Sequence, residues 1–127
     1  MMTLDALLET TNPMLLLSGL TFIIAGGIMY FFPPKKVNSL YGYRTARSMK
    51  NQKNWDFAQI YGAKALCVLG LVFILISFTR TLLPFDNDQH ALFGMFLLII
   101  GVVIMFLISE KAIKKNEEKN KGTQSLH

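Results

Sequence analysis

The stretch PMLLLSGLTFIIAGGIMYFF, residues 13–32, decides the fold, because its 20 residues include no ionisable side chain. As an α-helix it would be about 30 Å long, since each residue adds about 1.5 Å. The hydrocarbon core of a bilayer is also about 30 Å thick. The stretch therefore predicts a transmembrane helix.

Two further uncharged runs follow, ALCVLGLVFILISFT at residues 65–79 and ALFGMFLLIIGVVIMFLIS at residues 91–109. The first would reach only about 22 Å as a helix, so the membrane-spanning helix must include some of the polar residues on either side of the run. Lys64 and Arg80 flank it and can extend their charged ends to the membrane surface. We expect spans at about residues 13–32, 62–82 and 91–109, which together form one all-α membrane domain over residues 1–109.

Composition agrees with this class. Of 127 residues, 52% are hydrophobic and only 17% are charged, which is poor in charge for a soluble domain. One Cys and two His offer no internal disulfide and no thiolate metal site, so we expect no metal and no cofactor. The three uncharged runs hold none of the ionisable groups that proton-coupled exporters and ion pumps use inside the membrane, which disfavours those classes.

The charges between the spans predict an orientation. Residues 33–64 contain seven Lys or Arg against one acid, and residues 110–127 contain five Lys against three Glu. Residues 80–90 contain one Arg against two Asp, and residues 1–12 carry two acids and no base. By the positive-inside rule the first loop and the C-terminus are cytoplasmic, and the N-terminus is outside. A cleaved signal peptide would carry its basic residues before the apolar run, so we expect a retained helix in a multi-pass protein of the cell membrane.

The segment after Ser109 is polar and mixed in charge from Lys114 onward. Such a composition buries too little apolar surface to fold by itself. We expect residues 110–127 to be a flexible cytoplasmic tail, whose lysines can also contact anionic headgroups.

Each predicted span carries small residues at interface spacing. The glycines stand seven or eight residues apart, and they are Gly19 and Gly26, Gly62 and Gly70, and Gly94 and Gly101. In lipid, small residues let helix backbones approach closely, so these stripes predict packing of the three helices. Contact between two copies, in a homo-oligomer, is the alternative.

The first loop begins with Pro33-Pro34, which cannot continue a helix. From about Ser48 a new helix is expected, with the Ser hydroxyl as its N-cap and with Trp55 on an apolar side. On that helix we expect Gln59, like Lys50 and Lys53, to face water or headgroups.

In the middle of this loop, residues 41–48 read YGYRTARS. Two guanidinium groups, two phenol hydroxyls and two aliphatic hydroxyls lie within eight residues. An Arg side chain presents a planar fork that suits phosphate or carboxylate, so the cluster predicts a site for lipid headgroups, a peptide carboxylate or an acidic partner. Ordinary positive-inside anchoring explains the same charges equally well.

The run NSLYGYRTARSMKN, residues 38–51, followed by Trp55, resembles the signature of the SdpI/YfhL family of small bacterial membrane proteins. The matching residues are Asn38, Gly42, Tyr43, Arg44, Thr45, Ser48, Met49 and Trp55. Two departures stand out: Ala46 replaces a Pro that usual members carry, and Gln52-Lys53 replaces an acid before the Trp.

This resemblance implies a non-enzymatic membrane protein whose named relative is an immunity factor against a secreted membrane-active peptide toxin, linked to sequestration of a transcriptional repressor. The implied partners are membrane lipids, a peptide toxin and a cytoplasmic repressor protein, without direct binding to nucleic acid. The candidate binding residues are Asn38, Tyr41, Gly42, Tyr43, Arg44, Thr45, Arg47, Ser48 and Trp55.

Two other classes of function agree less well with the sequence. A small transporter or channel subunit could assemble through the glycine stripes, although the uncharged helix interiors disfavour it. An enzyme acting on lipid headgroups would need paired carboxylates, a Cys/His or Ser/His pair, or a metal cluster, and the sequence offers none of these near the membrane surface.

Overall fold

A computed structural model describes residues 3–125 of the chain. Its order of elements is α1 (Leu4–Thr10), α2 (Pro13–Phe31), α3 (Gln52–Ser77), a short 3-10 turn (Arg80–Leu82) and α4 (Asn87–Ser125). Helices α2, α3 and α4 are each long and apolar enough to cross a bilayer. Because all the described secondary structure is helical, the prediction of an all-α protein with three membrane-spanning helices is confirmed.

The three long helices run up, down and up, so the bundle has two different ends. At the loop end, residues 32–51 join α2 to α3, and the last turns of α4 leave the apolar segment. At the opposite end lie α1 and the short connection from α3 to α4.

Glycine contacts hold α2 against α3. A methyl group built on Gly70 would lie 2.6 Å from the carbonyl oxygen of Gly19, and one on Gly19 would lie equally close to that of Gly70. At Gly26 such a group would lie 2.6 Å from the sulfur of Cys67. The two backbones therefore touch, as the glycine stripes predict for packing within one chain.

Helix α4 packs through its own glycines. A methyl group on Gly101 would lie 2.7 Å from the ring of Phe73 on α3, and one on Gly94 would lie 3.0 Å from the side chain of Asn12. Gly62 differs from the stripe prediction, because its neighbour is the ring of Tyr43 from the loop rather than another helix.

Asn12 ties the opposite end together. Its side chain caps α2 at Leu15 and donates 2.8 Å to the carbonyl of His90, while its backbone N–H donates to that of Ser77. The guanidinium of Arg80 donates 2.9 Å and 3.0 Å to carbonyls of Leu8 and Thr11 around the end of α1. Sequence reasoning did not predict α1, which is only 7 residues long.

The second span differs from its predicted bounds of residues 62–82. Helix α3 ends at Ser77, where the carbonyl is taken by Asn12, and it gains its extra length at the other end, from Gln52 onward. Its N-cap is Asn51, whose side chain accepts from Asn54, so the expected cap at Ser48 is wrong.

Residues 110–125 of the expected flexible tail are helical, and residues 126–127 lie outside the described residues. Helix α4 continues without a break for 39 residues to Ser125, about 58 Å, which is far longer than a bilayer core is thick. We call residues 110–125 the α4 extension, since the uncharged segment ends at Ser109. Ile113 is 1% exposed and Glu117 7%, so one side of this extension is packed rather than solvated.

Candidate functional site: a polar cap at the loop end

The loop end carries a folded polar structure, which we call the loop cap. It consists of the loop at residues 32–51, the first turns of α3 at residues 52–63, and the α4 extension. Trp55 is its anchor, since the indole is completely buried and donates 2.7 Å to the carbonyl of Pro34. The hydroxyl of Tyr41 donates 2.8 Å to the carbonyl of Phe32, where α2 ends. Both bonds satisfy backbone groups at or just after the end of α2, where Pro33 and Pro34 stop the helix.

Asn38 and Gly42 shape the turn that follows. The Asn38 side chain accepts from the backbone N–H groups of Leu40 and Tyr41, at 2.9 Å and 2.8 Å, and so closes an Asx turn. Gly42 has φ of +107°, and the side chains of Gln59 and Pro34 lie where a Cβ would project. Only glycine meets both conditions, which gives this residue a structural role.

Gln59 binds the backbone of Tyr43 from both sides. The N–H of Tyr43 donates 2.7 Å to Gln59 Oε1, and Gln59 Nε2 donates 2.9 Å to the Tyr43 carbonyl. Gln59 is 1% exposed, so the expectation that it faces water or headgroups is wrong. The amide of Gln59 can be buried because both of its polar atoms are hydrogen-bonded to the backbone of Tyr43.

The Tyr43 side chain joins the loop to α4. Its hydroxyl donates 2.8 Å to Glu110 Oε1, across 67 residues of sequence. Burial, and then the hydrogen bond to this carboxylate, raise the pKa of Tyr43 above its ordinary value. The phenol is thereby held in its protonated, donating form.

Thr45 and Ser48 lock a turn by reciprocal bonds. The Thr45 N–H donates 2.8 Å to the Ser48 hydroxyl, and the Ser48 N–H donates 3.1 Å to the Thr45 hydroxyl. Ser48 is fully buried, and its hydroxyl also lies 3.2 Å from the Tyr43 carbonyl. The Ser48 hydroxyl is therefore occupied inside the loop cap, and the Thr45 hydroxyl accepts a bond within the same turn.

Glu117 forms ion pairs and a hydrogen bond with side chains of the loop and of α3. It accepts 2.6 Å from Lys50 and 3.0 Å from Asn54, and it lies 3.3 Å from Lys121 and 3.8 Å from Arg47. The bonds from Lys50 and then Asn54 lower the pKa of Glu117 to about 2. The carboxylate stays ionised at neutral pH and fastens the α4 extension to the loop.

The two arginines of the predicted fork have different surroundings. Arg47 lies 3.5 Å from Glu110 as well as near Glu117, and its backbone carbonyl accepts from Asn54. Arg44 is exposed, and within residues 3–125 it makes no hydrogen bond or ion pair. Of the two predicted arginines, therefore, Arg44 is the one left available, while Arg47 contacts the acids of the α4 extension.

Sequence reasoning missed four members of this network: Asn54, Gln59, Glu110 and Glu117. The extension offers little signal in the sequence, because Ile113 is the one apolar residue among the buried Ser109, Ile113 and Glu117. Their spacing of four residues indicates that they share one helix face, but not that this face is packed.

The described part of the chain holds no group of three or more His, Cys, Asp or Glu side chains that could bind a metal ion. The surface of the loop cap is instead rich in exposed cations, which are Lys35, Lys36, Arg44, Lys53, Lys111, Lys114, Lys115 and Lys119. Such a surface suits phosphate or carboxylate groups.

Three packed apolar helices under a hydrogen-bonded polar cap define a small integral membrane protein of the helical-bundle class. The model of the family described as "SdpI/YfhL protein family" matches residues 35–110, and the chain belongs to this family. It is 38% identical over 110 residues to "Uncharacterized protein YfhL" of Bacillus subtilis (strain 168), a match that covers 87% of this chain and 94% of the relative. No solved structure matches the chain.

The matched segment coincides with part of the loop cap. It starts in the loop and ends at Glu110, the acceptor of the Tyr43 hydroxyl. Glu117, which adds the second set of contacts, lies outside it. The hydrogen bond between Tyr43 and Glu110 thus lies inside the family segment. The contacts of Glu117, which attach the α4 extension to the loop, involve a residue outside it.

Proposed function

We propose that this chain is a non-enzymatic protein of the cell membrane that recognises a partner through the loop cap, with Arg44 as the contact residue. On the positive-inside rule the loop cap faces the cytoplasm and α1 faces outside. The activity we propose is protection against a membrane-active peptide toxin, or signalling to a cytoplasmic repressor protein, as the family resemblance implies.

The observation that carries this proposal is the contrast between Arg44 and the residues around it. Tyr43 is held by Gln59 and Glu110, and Thr45 by Ser48, so the backbone on both sides of Arg44 is fixed. A guanidinium held on a preorganised backbone loses less freedom on binding than one on a mobile loop. Simple anchoring to lipid would need neither the buried amides nor the glycine with positive φ.

The chemistry of Arg44 indicates the class of partner. A guanidinium can form two parallel hydrogen bonds to a carboxylate or phosphate, and a lysine cannot. The exposed lysines nearby add attraction for a negatively charged surface. An acidic segment of a cytoplasmic protein satisfies both features.

Replacement of Arg44 by lysine tests this function. Arg44→Lys retains the charge and removes the fork, so we expect protection or signalling to fall while protein level and membrane insertion persist. The matched control is Lys36→Gln, which removes one exposed charge from the same loop and should change little. Activity is measured as survival of a susceptible strain exposed to the peptide toxin, or as membrane recruitment of the repressor.

Arg47→Lys is a separate variant, because Arg47 contacts Glu110 and Glu117. We expect it to lower stability rather than to remove recognition selectively. Full activity of Arg44→Lys and of Arg44→Gln would overturn the proposal and reduce the loop cap to a membrane anchor.

A further inference from the structure

A long apolar groove lies between α3 and α4, within the membrane-spanning part of the chain. Its volume is about 560 Å³. Five of its wall residues are Val68 and Val72 on α3, and Gly101, Ile104 and Ile108 on α4. Val68 is 62% exposed and Ile104 49%, so the groove opens sideways toward the lipid.

The groove has a charge at one end only. Lys64 lines it at the loop end, next to Tyr61, and the other lining side chains are apolar. Lys64 is exposed and has no ion-pair or hydrogen-bond partner among residues 3–125. The nearest acids in the helix sequences are engaged elsewhere, since Asp56 accepts from Gln52 and Glu110 from Tyr43.

The groove runs along most of the membrane-spanning part of α3. From Lys64 to Ile76, both of which line it, α3 rises about 18 Å, and Ile76 is one residue before the helix ends. One acyl chain fills half of a hydrocarbon core, which is about 15 Å. A single chain that enters beside Lys64 therefore fits within the length of the groove.

The apolar lining of the groove indicates what kind of matter occupies it. A void lined by apolar atoms on a membrane-facing surface will be filled by apolar matter, because unfilled space forfeits dispersion contacts.

We propose that this groove binds one acyl chain of an anionic glycerophospholipid, and that Lys64 pairs with the phosphate of its headgroup. The lipid belongs to the leaflet on the side of the loop cap. The site is separate from Arg44, so it does not depend on the function proposed above.

The test is native mass spectrometry of the purified full chain, titrated with phosphatidylglycerol and with phosphatidylcholine of identical acyl chains. For the wild type we expect one retained lipid, with phosphatidylglycerol favoured about fivefold, the effect of one lysine near a membrane surface. Lys64→Gln should abolish that preference. Lys53→Gln removes an exposed lysine that does not line the groove and should retain the preference.

Val68→Trp and Ile104→Trp fill the groove from its two walls, and both should lose the retained lipid. Leu71→Trp is their matched control, because Leu71 is 52% exposed on α3 and does not line the groove. Both substitutions are at exposed positions. Thermal unfolding in detergent verifies that each variant is folded.

Three results would overturn the proposal. The first is that Lys64→Gln still prefers the anionic lipid, and the second is that Leu71→Trp loses as much lipid as Val68→Trp. The third is that the wild type is a dimer without bound lipid and that Val68→Trp dissociates this dimer. The last result would make the groove an interface between two copies of the chain.

Discussion

Gln59 and Tyr43 hold each other by two hydrogen bonds, at 2.7 Å and 2.9 Å, in which a side-chain amide pairs with both polar groups of one backbone residue. This is the pattern that a neighbouring strand would offer, supplied here by a helix. It lets an irregular loop lie against α3 with its backbone satisfied. The relationship explains why Gln59 is buried in the first turns of a helix that leads into the membrane.

The first prediction concerns this pair. Gln59→Met retains much of the side-chain volume but leaves the N–H and carbonyl of Tyr43 without partners, at a cost of about 1–3 kcal/mol. We expect a lower thermal midpoint in detergent. Gln52→Met is the control, because Gln52 is exposed and its hydrogen bonds are at the surface. Equal midpoints for the two variants would show that the Gln59 bonds add no stability.

The second prediction concerns pH. Glu117 has a pKa of about 2 in the folded protein and 4.5 as its ordinary value, so the folded state favours the ionised carboxylate. A lowered pKa adds stability that is complete above about pH 4.5 and is lost as the pH falls toward 2. The difference in thermal midpoint between wild type and Glu117→Gln should therefore be large at pH 6 and shrink across that window.

Glu118→Gln is the matched control for the acid titration. Glu118 is the next residue along the α4 extension and is exposed. The thermal midpoint of Glu118→Gln should follow that of the wild type at every pH. A difference for Glu117→Gln that stays constant between pH 6 and pH 2 would contradict the assigned role of the carboxylate.

Two neighbouring glycines give the third prediction. A Cβ on Gly26 would lie 2.6 Å from the sulfur of Cys67 and 2.8 Å from the carbonyl of Ala63, whereas one on Gly27 meets nothing within 4 Å. Gly26→Ala should separate α2 from α3 and cost about 1–3 kcal/mol. Gly27→Ala should be neutral or slightly stabilising, because Ala favours a helix more than Gly does.

Larger substitutions extend this comparison. Gly70→Leu and Gly101→Leu should be more damaging than Gly26→Ala, because Leu is larger than Ala and a Cβ at either site already meets a neighbour at 2.6–2.7 Å. Leu71→Ala, at an exposed position, should be mild. Wild-type midpoints for the Gly→Leu variants would show that these glycines are not packing contacts.

The features that could be predicted from sequence are those encoded in one segment at a time. An uncharged run of 19 or 20 residues is long enough to cross a bilayer by itself, and glycines seven apart mark one face of a helix. Both inferences need no knowledge of the neighbouring helices. The spans of α2 and α4 and the presence of close glycine packing follow from them. The bounds of the second span and the pairing of Gly19 with Gly70 do not, because both depend on a neighbouring element.

The features that sequence reasoning missed depend on pairs that lie far apart in the chain. Glu117 meets Lys50 across 67 residues, and without that partner the extension has too few apolar residues to suggest packing. Gln59 is a polar residue of the kind that usually lies at the surface. Its burial is evident only when the folded loop is seen to cover it. The sequence does not distinguish Arg47 from Arg44, although of these two arginines only Arg47 has acidic partners in the structure.

The final prediction concerns orientation across the membrane. Cysteine probes are introduced in a Cys67→Ala background at Asp88, which is exposed at the opposite end, and at Lys53, which is exposed on the loop cap. Because the loop at residues 33–64 carries seven bases against one acid, we expect it to remain inside. An impermeant thiol reagent applied to intact cells should then label Asp88→Cys and leave Lys53→Cys unlabelled, whereas both should react in opened cells. Labelling of Lys53→Cys alone from outside would invert the topology, and it would place Arg44 on the external face, where a cytoplasmic partner could not reach it.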